Sequence, residues 1–403
     1  MAAIFAAGHR HRVLVLERTR DGGRKILISG GGRCNVLPSE LEPSRFVTDS
    51  SRHLLRRMLL AWPLAEQRDF FERSLGIPLA LEAETGKLFP VSNRARDVRD
   101  GLIAHARNLG VEFRFDAQVR DCRPSGTEWL VELDGETLAA SAVILATGGL
   151  SVPTTGSDGL GLAVARRLGH CIHEPYPALT PLTADPPVHA ALAGLSLTVT
   201  LSARLEGKPV VATGGFLFTH RGYSGPAVLD LSHLAVRSRL SSGPRQELLV
   251  RWSSLEEGEW DRRLQERSSR GVLAVLREEL PVRLAEQLLG EIPLEPARQL
   301  AQLTRLERRT LVDRLVRYPL PWTGDEGYRK AEVTGGGVAL GEVDPMTMQS
   351  RRLPGLYLCG ELLDAFGPIG GHNFAWAWAT GRSAGMGAGN TEGRAGRPAP
   401  RES

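Results

Sequence analysis

Residues 13–35 constrain the fold of this chain more than any other stretch. Val13-Leu14-Val15-Leu16 is short and apolar and ends in Glu17. A basic, glycine-dense loop is expected next, reading Gly22-Gly23-Arg24-Lys25-Ile26-Leu27-Ile28 and then Ser29-Gly30-Gly31-Gly32-Arg33-Cys34-Asn35. In a dinucleotide-binding fold the second strand ends in an acid that hydrogen-bonds the adenosine ribose. Three successive glycines let the backbone approach a large flat or phosphorylated ligand, because no Cβ stands in the way. Upstream, Ala2, Ala3, Ala6 and Ala7 are small, as a helix packed closely on a sheet requires. That helix is expected to end at Gly8, with His9 to Arg12 turning into the strand.

The acid of such folds lies about 20 residues beyond a Gly-X-Gly-X-X-Gly turn. Glu17 meets that spacing only if the turn lies upstream of Met1. The expectation is that one strand and a phosphate-binding turn are missing, through a misplaced start or a clipped gene. The plainer alternative makes Met1 the start of an ordinary amphipathic helix.

A chain of 403 residues can hold two or three domains with real cores. Its pattern is read as a dinucleotide-type domain over 1–180, interrupted and then resumed. The interruption comprises an antiparallel β domain over 181–255, a helical subdomain over 256–318 and a return of the β domain over 319–340. The first domain closes over 341–386, and 387–403 is read as a disordered tail rich in Gly, Pro, Arg and Ala. Within this plan, 52–75 reads as helix broken at Pro63, Leu79–Pro90 as a hairpin, and Ala95–Leu109 as a helix. The helix spans Val98, Leu102, Ile103 and Ala106 on one face. Ser157 to Leu168 reads as a helix capped by Ser157, and Ser224 as a cap ahead of Pro226. Pro281, Pro293 and Pro296 break the charged helical block.

Apolar content of 42% and charged content of 24% are those of an ordinary globular protein, so a wholly disordered chain is excluded. Net charge is only +4. Of the 50 basic residues, only Lys25, Lys87, Lys208 and Lys330 are lysine, a bias that suggests a GC-rich genome. Cys34, Cys122, Cys171 and Cys359 form no CxxC pair, which argues against a disulfide framework or a metal site. No apolar run reaches the length of a membrane span and no signal peptide is visible, so the expected compartment is the cytoplasm.

Three further motifs carry chemistry. Thr147-Gly148-Gly149 follows the apolar stretch 142–146, where glycines let the chain turn beside a ligand. Leu356-Tyr357-Leu358-Cys359 leads into Gly360-Glu361, which can set a carboxylate against a ribityl or ribose hydroxyl. Gly370-Gly371-His372-Asn373-Phe374 opens a helix containing Trp376 and Trp378, and free N–H groups at such an end favour an anion or an electron-rich carbonyl. The tryptophans are read as core rather than as a stacking box. His372 is either a proton donor or a histidine that only hydrogen-bonds.

With these motifs in this order, the chain resembles the BaiN/RdsA (YhiN-like) family of FAD-dependent, NAD(P)-linked oxidoreductases. Gly86-Lys87-Leu88-Phe89-Pro90, Phe218 to Pro226 and Thr334-Gly335-Gly336-Gly337-Val338 add to the likeness, which covers about Met1 to Gly385. The resemblance implies a two-dinucleotide-binding-type FAD domain, Rossmann-like and α/β, with an inserted antiparallel β domain and a small helical subdomain. It implies cofactor contacts at Glu17, Arg24, Lys25, Ser29, Gly30, Gly31, Gly32, Arg33, Cys34, Asn35, Val119, Thr147, Gly148, Gly149, Gly360, Glu361 and Gly370 to Phe374. It implies FAD as cofactor, NADH or NADPH as reductant, and reduction of a conjugated C=C bond, with His372 and Cys34 as candidate proton donors. Candidate substrates are steroid-like enones and a uracil base in ribosomal RNA, the latter giving dihydrouridine and a contact with ribosomal RNA. Thr219 and His220 either face the substrate or are purely structural. Two other functions stand beside this reading: a non-catalytic remnant that no longer binds FAD, and an oxygen-using flavin hydroxylase or oxidase.

Overall fold

Leu14–Leu16 forms a strand, and its partner is Glu112–Arg114, in parallel register with Leu14 opposite Glu112. A parallel pair needs a crossover. The Ala95–Asn108 helix lies in it, burying Val98, Leu102 and Ala106 at helical spacing. A second parallel pair joins Val143–Leu145 to Leu356–Leu358, two segments far apart in sequence. Among the described residues no ladder joins the two parallel pairs. Between Glu112–Arg114 and Val143–Leu145 the chain forms a three-stranded antiparallel sheet, Val119–Ser125, Glu128–Leu133 and Glu136–Ala140.

The computed structural model describes residues 1–7, 11–292, 294, 295 and 297–390. The expected turn at Gly8 to Arg10, the breaks at Pro293 and Pro296 and the tail from 391 onward lie outside these. The chain divides into two units, one of Met1–Pro177 with the segment from Glu332 onward, the other of Ala178–Ala331.

In the first unit the last helix, His372–Gly389, is buried along most of its length, and Trp376 and Trp378 lie in the core. A helix apolar all round is an internal one. It runs past the expected boundary at 386, so Gly387 to Gly389 are helical and not tail. The Ala2–Ala7 helix packs against it at Gly385, where a Cβ would stand 2.2 Å from the Ala2 carbonyl oxygen. The Val333–Val338 strand pairs with Ile172–Ala178 inside this unit, so the chain returns to it at Glu332, earlier than the expected 341. Gly335 and Gly336 make that return tight: Cβ atoms there would lie 2.3 Å from the Tyr176 ring and 2.5 Å from the Glu174 carbonyl oxygen.

The second unit is built on a long antiparallel hairpin, Ser196–Leu205 with Lys208–Phe218, within a seven-stranded sheet. The helices of 256–318 do not form a core of their own. Trp260, Leu276, Leu288 and Leu311 share one cluster with Val199, Phe216 and Trp252 of the sheet side. A polar knot lies in this core. The two oxygens of Glu291 accept from His189 Nε2 at 3.0 Å and Tyr318 Oη at 2.8 Å, while His189 Nδ1 meets Tyr223 Oη at 2.9 Å.

Two expected caps are replaced by glycines. The helix after residue 157 spans Leu160–Arg167 behind Gly159, whose φ of 83° suits glycine, and Ser157 stays outside it. The Pro226–Leu240 helix has Gly225 at its cap and Pro226 in its first turn, while Ser224 ends a strand. A Cβ on Gly225 would meet the Gly215 carbonyl oxygen at 2.6 Å, so serine chemistry gives way to close packing there.

Candidate cofactor site

Glu17 leaves the end of its strand with its carboxylate already oriented. Its Oε1 accepts from Thr19 N at 2.8 Å and from Thr19 Oγ1 at 2.7 Å. The stretch expected as a loop is partly helical: Arg24–Ile28 is a short α-helix and Ser29–Gly32 a 3-10 turn. Gly30 and Gly31 are left-handed inside that turn, with φ of 55° and 68°. They differ in purpose. A Cβ on Gly30 would press on Phe89 at 2.9 Å, whereas one on Gly31 would meet nothing within 4 Å. Gly31 therefore presents bare backbone to open space. Arg33 lies 3.9 Å from the Phe89 ring centroid and donates to Glu82 at 3.0 Å, and Arg24 donates to Asp21 at 2.9 Å. Beside this turn a cavity of about 630 Å³ is lined by Leu27, Gly32 and Asn93 to Asp97.

Lys25 reaches from the Arg24–Ile28 helix to Glu361. Its Nζ donates to Glu361 Oε2 at 2.5 Å and to Ser151 Oγ at 2.5 Å. The other carboxylate oxygen accepts from Ser151 Oγ at 2.6 Å, Thr334 N at 3.0 Å and Thr334 Oγ1 at 2.9 Å. Thr334 Oγ1 also accepts from Leu150 N at 2.7 Å and Ser151 N at 3.1 Å. Gly149 allows this junction, since a Cβ there would stand 2.4 Å from Thr334 Oγ1 and 3.0 Å from Glu361 Oε1. Gly148 turns at φ 71° against Ser157, and Thr147 packs against Gly161. Gly360, at φ 73°, is pinned to the last helix: its N–H donates to Thr380 Oγ1, and its carbonyl accepts from Trp376 Nε1, both at 3.0 Å.

At the start of the last helix, Gly370 and Gly371 have φ of 104° and 93°. A Cβ on Gly371 would lie 2.6 Å from the Leu37 carbonyl carbon, so only glycine passes there. Asn373 spends its amide on the preceding loop, accepting from Gly367 N at 2.9 Å and donating to Gly367 O at 3.0 Å. Phe374 stacks on Trp378 at 5.2 Å between ring centroids. His372 is 5% exposed, and its Nδ1 lies 3.2 Å from the Ile369 carbonyl oxygen, which can only accept. Burial, with Arg45 nearby, pushes its pKa down to about 4. Nδ1 therefore holds a committed proton and Nε2 holds none.

Burial pushes the Cys34 thiol up to about 12. It remains a thiol at neutral pH. Cys34 is itself left-handed, at φ 64°.

The structure thus joins Lys25 to Glu361 directly and sets Gly149 against Thr334 and Glu361. Val119 opens a strand, partly buried against the apolar core. Thr219 accepts from Arg221 N within a turn of the second unit, next to His220. Three hydrogen-bonding side chains in this region carried no role in the sequence. Thr334 sat in a noted glycine motif without an assigned role, and Ser151 carried no signal. The third, Asp364, is buried and its Oδ2 accepts from Thr48 Oγ1, Asp49 N, Ser50 N and Ser50 Oγ. Burial raises its pKa. Among the described residues no three His, Cys, Asp or Glu side chains gather as metal ligands would.

These residues fit a flavin dinucleotide. Asn35 Oδ1 and His372 Nε2 are buried and lack hydrogen-bond partners among the described residues. Buried polar atoms are normally paired, and two orphans in neighbouring motifs are what a polar ring edge would satisfy. The last helix adds a first turn whose cap residue makes no side-chain hydrogen bond.

Comparison with known proteins agrees with this geometry. A ribosomal RNA dihydrouridine synthase from Escherichia coli (strain K12) is 33% identical over 379 residues, covering 92% of this chain and 90% of that protein. A 3-dehydro-bile acid delta(4,6)-reductase from Clostridium scindens is 32% identical over 395 residues, covering 94% and 92%. A solved quinol-fumarate reductase shares the fold, with a TM-score of 0.50 and 14% identity over 99% of this chain and 70% of that one. No helix among the described residues is long and apolar enough to cross a membrane. The model of the HI0933-like protein Rossmann domain matches residues 1–387, and the chain belongs to that family, as the resemblance in its motifs implied.

Proposed function

We propose that this protein is an FAD-dependent oxidoreductase that takes hydride from NAD(P)H and reduces a conjugated C=C bond. The favoured substrate is a uracil base in ribosomal RNA. One observation carries the reading: the Ser29–Asn35 turn and the start of the last helix each hold a buried, unpartnered polar atom, Asn35 Oδ1 and His372 Nε2. Two relatives matched over nine-tenths of their length are named for reductive chemistry, one on ribosomal RNA and one on a bile acid. Bound FAD would supply the two-electron chemistry.

The chain's own groups have separate tasks. Glu17, held by Thr19, would receive ribose hydroxyls. The exposed backbone of Gly31 and Gly32 lets a flat ligand approach. The backbone N–H groups at the start of the His372–Gly389 helix, which no cap side chain takes up, would favour a carbonyl edge or a developing negative charge. Of the two candidate proton donors, Cys34 keeps its proton at neutral pH, whereas the one proton on His372 is committed to Ile369.

The test supplies the full chain with FAD, NADH or NADPH, and either ribosomal RNA lacking dihydrouridine or a steroid enone. Mass spectrometry then reads the gain of two hydrogens. Gain on a uracil supports the RNA reading, and gain on the enone alone moves the substrate to the steroid class. No gain on either, with FAD bound, contradicts the proposal.

A further inference from the structure

We infer that His372 is a fixed hydrogen-bond acceptor whose partner is the N–H of a cyclic imide, an N–H flanked by two carbonyls. The inference rests partly on the flavin reading above. Flavin and uracil rings both present this edge, so the chemistry is shared by the cofactor and the favoured substrate.

The acceptor role follows from what holds the ring. His372 Nδ1 is 3.2 Å from the Ile369 carbonyl oxygen, and a carbonyl accepts only a proton that Nδ1 carries. A neutral imidazole protonated at Nδ1 has a lone pair, not a proton, at Nε2. That atom is buried and has no partner among the described residues. With the residue 5% exposed and Arg45 beside it, the ring does not gain a second proton near neutral pH. An unpaired buried acceptor is costly, so a donor on the bound group is worth more here than at a surface.

The imide follows from what surrounds that acceptor. His372 is the first residue of an 18-residue helix, so the backbone N–H donors of the first turn lie beside its ring. Lys87 runs past the same turn, its Cε 3.5 Å from where a Cβ on Gly370 would sit, and its ammonium charge also acts on Glu82. One acceptor among several donors is the complement of a carbonyl, N–H, carbonyl sequence. A lone hydroxyl would satisfy Nε2 but leave the donors unused.

Titration calorimetry on the full chain tests this with FAD against N3-methyl-FAD, and with uridine against 3-methyluridine. The methyl group removes the imide proton and little else. In the wild-type chain it should weaken one of the two pairs by about 10-fold or more. Loss with the flavin pair assigns His372 to the cofactor, and loss with the uridine pair assigns it to the substrate. In His372→Phe the methyl effect should vanish. An equal methyl effect in the variant, no methyl effect on either pair, or no binding by both parents would overturn the inference. Failure of FAD alone to bind would sink the flavin reading while the uridine pair still decides this one. Nitrogen NMR of the wild-type histidines, assigned with His372→Gln, gives a readout independent of ligand. The Nδ1–H tautomer at pH 7 is expected, and an Nε2–H tautomer or an imidazolium would refute the acceptor role.

Discussion

Lys25 Nζ lies 2.5 Å from Glu361 Oε2, although 336 residues of sequence separate the two. Their side chains are 27% and 17% exposed. The pair ties the basic helix after the first strand to the turn after the last one, with Ser151 bonded to both side chains and Thr334 to Glu361. In this arrangement Glu361 is a structural hub, whatever part it has in the proposed cofactor contact. Replacing it with Gln leaves the Lys25 ammonium without a counter-charge in a half-buried place. Glu361→Gln should cost about 1–3 kcal/mol of stability in urea unfolding, and Lys25→Met in the same background should add little. Strictly additive losses would show that the two side chains do not act as a unit.

His372 makes stability depend on acidity. Its folded pKa is about 4, below the 6.5 of a free imidazole. The unfolded chain therefore binds the proton first, and stability is lost as pH falls from 6.5 towards 4. The full effect amounts to about 3 kcal/mol at most. Asp364 acts oppositely, because burial raises its pKa above 3.8 and protonation favours the folded state just above that value. The difference in unfolding free energy between wild type and His372→Gln should hold steady above pH 6.5 and change as pH falls from 6.5 towards 4, wild type losing the more. A constant difference across that range would show that His372 does not titrate as its burial requires.

The four cysteines should separate by reactivity. Cys34, Cys122 and Cys359 are buried, with thiols pushed up to about 12, 11 and 12, whereas Cys171 is exposed. A thiol reagent on the native protein at pH 8 should titrate one group quickly and the other three only on unfolding. Fast labelling of Cys34 would show that its turn opens on that timescale.

Gly385 tests the packing under the site. Gly385→Ala would place a Cβ 2.2 Å from the Ala2 carbonyl oxygen and push the first helix off the last. A loss of about 1–3 kcal/mol is expected, with no change in the tautomer of His372 at the far end of that helix. A neutral effect would mean that the first helix is loosely held.

Much of the framework was readable from spacing alone. Val98, Leu102 and Ala106 announce their helix, and the Leu79–Pro90 hairpin follows from a Thr85-Gly86 turn between alternating segments. These are local patterns, and local periodicity survives folding. The misreadings have a common cause in contacts made across the chain. Gly159 and Gly225 cap helices where serines were expected, because left-handed backbone and close packing outrank a side-chain hydrogen bond there. The charged block of 256–318 looked self-contained, yet Trp260 and Leu311 complete a core begun by the sheet. In the site, Glu17, Lys25 and Glu361 were legible as residue types. Their partners Thr19, Ser151 and Thr334 were not, since nothing in the sequence marks a given hydroxyl as the partner of a carboxylate. His372 was legible as a polar residue in the right turn. Its protonation state was not, because that depends on the Ile369 carbonyl and on the depth of burial.

The central claim is most directly tested by the visible spectrum of the purified full chain mixed with FAD, before and after NADH or NADPH is added under nitrogen. The account predicts a protein-bound yellow chromophore that is bleached by one of the two nucleotides and regains colour when the unsaturated substrate is supplied. A chain that folds but retains no flavin after gel filtration, or whose bound flavin neither nucleotide bleaches, would contradict it.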